Sequence, residues 1–146
     1  MKLKQLSLFL ENKPGALSRP MRILARAKFN ILTLSIGDAN QFGILRLIVR
    51  DWEKAKKLLE KEGFVVKVTD MVAVEVADRP GGLSTILDVL EKAGVNVEFM
   101  YAFTEKRESK ALMVFRFDDP DHAVEVLQKR GISVVDSVDL LKQLEG

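Results

Sequence analysis

The stretches NKPGALSR (residues 12–19) and DRPGGLST (residues 78–85) are two versions of one phrase, set 66 positions apart. Each follows a run of alternating apolar residues: Leu6, Leu8 and Leu10 before the first, Val72, Val74 and Val76 before the second. Alternation marks a half-buried strand, and the Pro-Gly pair that breaks it marks a turn. After the turn the apolar spacing becomes helical, with Leu17, Met21 and Leu24 in one copy and Leu83, Ile86, Leu87 and Leu90 in the other.

The repetition continues along the chain. Leu24, Ala27, Asn30 and Ile31 match Leu90, Ala93, Asn96 and Val97 at the same offset. Beyond the middle of each copy the offset becomes 68, so that Asp51, Ala55, Leu59 and Gly63 match Asp119, Ala123, Leu127 and Gly131. The two extra residues fall in TEKRESK (104–110), and their charge predicts an exposed hairpin tip. Strands are expected at 30–36, 44–49 and 64–68, and again at 96–103, 112–117 and 132–135. Helices are expected at 51–62 and 119–130, each led by an acidic cap and ended by glycine. The order is βαββαβ twice, an α+β chain of two tandem ferredoxin-like units at 1–70 and 71–146, with a short terminal helix at 138–144. Only Thr69-Asp70 separates the last strand of one copy from the first of the next. The two are therefore expected side by side, as one extended sheet.

Composition narrows the functions. The chain has 146 residues, 47% of them hydrophobic, and 23 basic against 21 acidic residues, a net charge of +2. Interspersed charge of that balance does not favour phosphate backbones or acidic membranes. There is no cysteine, so thiolate chemistry and disulfides are excluded and a reducing cytoplasm fits. The opening MKLKQLSLFLEN reads as too short an apolar stretch for a signal peptide. No run reaches the roughly 18 apolar residues of a membrane span.

A helix start after a Pro-Gly turn offers backbone N–H groups without intrahelical partners, together with the positive end of the helix dipole. That is a place for a carboxylate. Asn12 or Asp78 adds an acceptor suited to an ammonium group, and Gly15, Gly81 and Gly82 permit close approach. A free α-amino acid needs that combination, although Asn or Asp before Pro-Gly is also ordinary turn chemistry.

The βαββαβ order, the [N/D]-x-P-G-x-L motif and the A-x-x-N-[I/V] entry to the second strand together resemble the ACT domain, a small regulatory module that binds amino acids. The resemblance covers essentially the whole chain, as two units without a catalytic or DNA-binding domain. It implies a ligand between two units, clasped by the Asn or Asp before Pro-Gly and by the Asn opening a neighbour's second strand. Those positions are Asn12 with Asn96, and Asp78 with Asn30. Backbone groups of Gly15, Ala16 and Leu17, and of Gly81, Gly82 and Leu83, would face the carboxylate. Asp78 should favour an ammonium yet repel a carboxylate, so the two sites should differ in affinity. The resemblance further implies a sensor without catalytic activity or cofactor, passing its state to a partner. A small subunit regulating an amino-acid biosynthetic enzyme in trans is the alternative.

Other features have structural readings. Val97, Phe99, Tyr101 and Phe103 are expected on one face of their strand and Met100 and Ala102 on the other. Helices cover only one face of this fold, so the second face predicts a homodimer or a pocket lined by Tyr101. The aromatics could suggest an RNA-binding sheet, but LMVFRFDD (112–119) lacks that module's signature. His122 reads as a surface imidazole. Asp118, Asp119 and Asp121 read as helix capping rather than a metal site.

Overall fold

The computed structural model describes residues 2–39, 41–107, 109–136 and 140, with backbone alone at 38–39 and 104–107. The elements are β1 (Leu3–Glu11), α1 (Ser18–Arg26), β2 (Ile31–Ala39), β3 (Phe42–Val49), α2 (Trp52–Lys61) and β4 (Val66–Ala77). They are followed by α3 (Gly82–Lys92), β5 (Val97–Arg107), β6 (Lys110–Phe117), α4 (Pro120–Lys129) and β7 (Val134–Val135). The expected terminal helix at 138–144 lies outside the described residues except for Leu140, which is helical and buried. The strand expected at 64–68 instead starts at Val66 and runs unbroken through Thr69-Asp70 to Ala77. The chain divides into compact units of Lys4–Thr69 and Asp70–Gly146, Met1–Leu3 grouping with the latter.

In the unit Lys4–Thr69 the sheet order is β2-β3-β1-β4, β4 contributing its leading residues. The pairings of β1 with β3 and of β2 with β3 are antiparallel, Leu8 facing Leu45 and Leu6 facing Leu47. These leucines pack with Leu24 of α1 and Ala55 and Leu59 of α2. Every second residue of β1 points to the helices, which is why Leu6, Leu8 and Leu10 fall in one core. Pro20 lies in the first turn of α1, where proline is tolerated.

In the unit that begins at Asp70 the order is β7-β4-β6-β5. Val72, Val74 and Val76 meet Ile86 and Leu90 of α3, Ala123 and Leu127 of α4, and the stacked rings of Phe115 and Phe117. This is the same ferredoxin-like layering, helices on one face of an antiparallel sheet.

Both copies carry a bulge at the same place, between Ile31 and Thr33 and between Val97 and Phe99. A bulge turns the side chains after it to the other face. Val97 and Met100 therefore both pack on the helix-side core, which corrects the simple alternation expected for this strand. The two extra residues of the second copy are not in the hairpin tip. Two residues separate β2 from β3 and two separate β5 from β6, while the register of β5 slips by two between Ala102 and Lys106. The insertion is a second bulge within the strand.

The face of this sheet away from the helices is not bare. Met71, Ala73 and Val114 are fully buried within the single chain, and Phe103 is 6% exposed.

Candidate functional site

Each motif sits where a strand hands over to a helix, and the hairpin opposite fixes it. The Asn12 N–H donates to the Gln41 carbonyl at 2.8 Å, and the Asp78 N–H donates to the Ser109 carbonyl at 2.9 Å. Gln41 and Ser109 hold equivalent places in the two hairpins, a tie that no local signal around Pro-Gly reveals.

Gly15 and Gly81 have φ of +86° and +85°, so glycine serves both turns by tolerating the left-handed region. The first amide to make a bond to the carbonyl four residues back is that of Arg19, bonded to Gly15 at 3.2 Å; in the second copy it is Thr85, bonded to Gly81 at 3.0 Å. Among the described residues the amides of Leu17, Ser18, Leu83 and Ser84 have no backbone partner. They are the groups open to an anion.

Two expected donors are already used. The Ala16 N–H bonds the Lys13 carbonyl at 3.2 Å, and the Gly82 N–H bonds the Arg79 carbonyl at 3.0 Å. Gly82, expected to permit close approach of a ligand, is instead buried against Ala77. It serves packing.

Beside the start of α1 lies a cavity of about 310 Å³ lined by Leu10, Glu11, Asn12, Lys13, Ala16, Leu17, Ile36, Gly37 and Gly43. Its walls combine the motif with the end of β2 and the start of β3. Ile36, Gly37 and Gly43 were not legible as site residues, because only the strand register brings them to the motif. Leu34 and Ile36, 42% and 48% exposed, lie along β2, the edge strand of this unit. Within each unit the residue before Pro-Gly and the asparagine before the second strand, which the resemblance does not pair with each other, are apart. Asn12 precedes α1 and Asn30 follows it, separated by a nine-residue helix roughly 13 Å long. Asn30 does not line the cavity. Asp78 and Asn96 flank α3 in the same way, and Asn96 lines a separate groove with Leu87, Leu90, Glu91 and Gly94.

Asn96 is exposed at the mouth of β5, its backbone bonded to Asp118. Of the three clustered acids, Asp118 and Asp119 accept backbone hydrogen bonds around the start of α4. Asp121 pairs with Lys2 at 3.0 Å, and that contact raises the Lys2 pKa above its ordinary value. No group of three or more metal-ligating side chains occurs among the described residues. No described helix is long and apolar enough to cross a membrane.

Against this geometry the family comparison is direct: the model of the ACT domain pair matches residues 1–144. The crystal structure of protein BT0572 from Bacteroides thetaiotaomicron is 38% identical, with a TM-score of 0.89 and 96% of each chain covered. The regulatory subunit of aspartate kinase from Thermus thermophilus, in its ligand-free form, is 15% identical, with a TM-score of 0.65 over 88% of this chain and 93% of that one. The corresponding subunit from Thermus flavus is 15% identical, with a TM-score of 0.62 over 88% and 92%. At that identity the likeness to the Thermus subunits is one of fold. Comparison with curated proteins finds no match.

Proposed function

This chain belongs to the ACT domain pair family, and from that premise we propose that it is a regulatory protein that binds a free amino acid and does no chemistry on it. The cavity beside the start of α1 is the observation that carries the reading. A carboxylate there would meet the open amides of Leu17 and Ser18 and the positive end of the helix. The Asn12 carboxamide would accept from the ammonium group, and Leu10, Leu17 and Ile36 offer apolar wall to a side chain. About 310 Å³ is at the small end of ligand pockets, which suits a metabolite of this size.

The proposed site residues are those of both motifs: Asn12, Gly15, Ala16 and Leu17, with Asp78, Gly81, Gly82 and Leu83. Asn30 and Asn96 are proposed to supply the second carboxamide. The Asp78 site is the weaker, since its fixed negative charge opposes the ligand carboxylate.

Binding would favour the clasped state, by no more than the ligand's preference for it. The recipient of that signal would be a partner protein. A biosynthetic enzyme regulated in trans is the specific form, parallel to what the Thermus regulatory subunits are named for. A homodimer and a cytoplasmic setting belong to the same proposal; the exposed Leu34, Ile36 and Phe42 of the first unit suit a further interface.

Thermal-shift screening of the twenty amino acids tests the proposal. Stabilisation by one of them or by a chemically related group is expected; stabilisation by none, with turnover of some other compound, contradicts it.

A further inference from the structure

The backbone of Asn96 is held at both ends by one residue. The Asn96 N–H donates to Asp118 Oδ1 at 3.0 Å, and the Asp118 N–H donates back to the Asn96 carbonyl at 3.1 Å. The same Oδ1 accepts the Asp119 N–H at 2.9 Å. Asp119 in turn accepts the His122 N–H at 3.2 Å, and His122 Nε2 lies 3.3 Å from the Ala93 carbonyl at the end of α3. A continuous chain of bonds thus ties the first turn of α4 to the loop that runs from Ala93 to Asn96.

The other repeat lacks the parts. At the offset of 68, Arg50 stands for Asp118 and Lys54 for His122. A guanidinium has donors only, so the Arg50 side chain cannot accept the Asn30 amide. Asp51, at the place of Asp119, makes no side-chain cap bond.

We propose that Asp118 is a positioning residue for ligand binding, locking the main chain of Asn96 so that its carboxamide is presented in one orientation, whereas Asn30 is presented without that support. The two repeats then contribute unequally to binding, for a reason separate from the charge of Asp78. The inference rests on the amino-acid reading above, since it takes Asn96 to touch the ligand. Fixing the group beforehand removes an ordering cost from the binding step.

The test uses the full chain with Asp118→Ala and Asp118→Asn, the asparagine keeping an Oδ1 acceptor. In the ligand-free protein, amide hydrogen exchange at Asn96 should speed up in Asp118→Ala, stay near wild type in Asp118→Asn, and be unchanged at Asn30 in both. Calorimetric titration with the twenty amino acids, singly, should show affinity falling about tenfold in Asp118→Ala, the scale of one charge-assisted hydrogen bond, and recovering in Asp118→Asn. A melting point lowered without these two changes would mark a merely structural role and overturn the proposal. Wild-type binding that persists undiminished in Asp118→Ala would overturn it alone. If the wild type binds no amino acid, the functional reading falls, and the ligand role of Asp118 with it.

Discussion

Gly82 lies so close to Ala77 that a Cβ built on it would overlap the Ala77 carbonyl oxygen and crowd the Ala77 side chain. At Gly15 a Cβ would meet nothing, but φ is +86°. The two glycines are therefore required for different reasons. Gly15→Ala should cost about 1–2 kcal/mol through the left-handed backbone. Gly82→Ala should cost about 1–3 kcal/mol through forced displacement of the strand end, and should also disturb the start of α3. Urea unfolding of both variants, with the helical circular dichroism signal, measures this.

The acidic residues that lead α2 and α4 are equivalent in sequence but not in bonding. Asp119 caps α4 by accepting from the His122 N–H, whereas Asp51 makes no such bond at α2. Asp119→Ala should destabilise by about 1 kcal/mol and Asp51→Ala by a few tenths at most. Equal losses in denaturant unfolding would contradict the assignment.

Phe115 and Phe117 stack with centroids 5.2 Å apart and are both fully buried among the valines of β4. Phe115→Ala should cost about 3–5 kcal/mol through lost burial and the cavity left behind. In the exposed Phe9, 64% accessible, the same change should stay below about 1 kcal/mol. Thermal unfolding of the two variants compares them.

Lys129, 2.9 Å from Glu125 on the surface of α4, holds that carboxyl below its ordinary value, chiefly through the hydrogen bond and then through its charge. A carboxyl lowered on folding stabilises the protein above its unfolded pKa, and that contribution fades as pH falls through the folded value. Glu125→Gln should remove this part of the pH dependence below about pH 5. The difference from wild type should shrink in high salt, because the pair is exposed. Unfolding midpoints measured down the acid range check the sign.

Much of this was legible in the sequence. The alternation of Leu6, Leu8 and Leu10, and of Val72, Val74 and Val76, announces strands because side chains of a strand alternate between faces. The change to helical spacing after each Pro-Gly announces α1 and α3, and the repeat announces the doubled βαββαβ unit. What sequence left hidden depends on register. TEKRESK looked like a loop by its charge, yet the pairing of β5 with β6 absorbs two residues as a bulge. Gly82 looked like an opening and is a close contact, because only the fold brings it to Ala77. The far face of the sheet in the second unit looked uncovered, yet Met71 and Val114 are buried in one chain. At the candidate site the motif itself was legible, whereas Ile36, Gly37 and Gly43 reach it through β2–β3 pairing that no short motif encodes.

In the proposed complex a free amino acid seats its carboxylate at the start of α1. A ¹⁵N NMR titration with each amino acid, following the amides of Leu17 and Ser18, reads this directly. One of them should shift both amides saturably, and Asn12→Ala should weaken the response. Amides of Leu17 and Ser18 that stay in place while a ligand binds elsewhere, or that no amino acid moves, would contradict it.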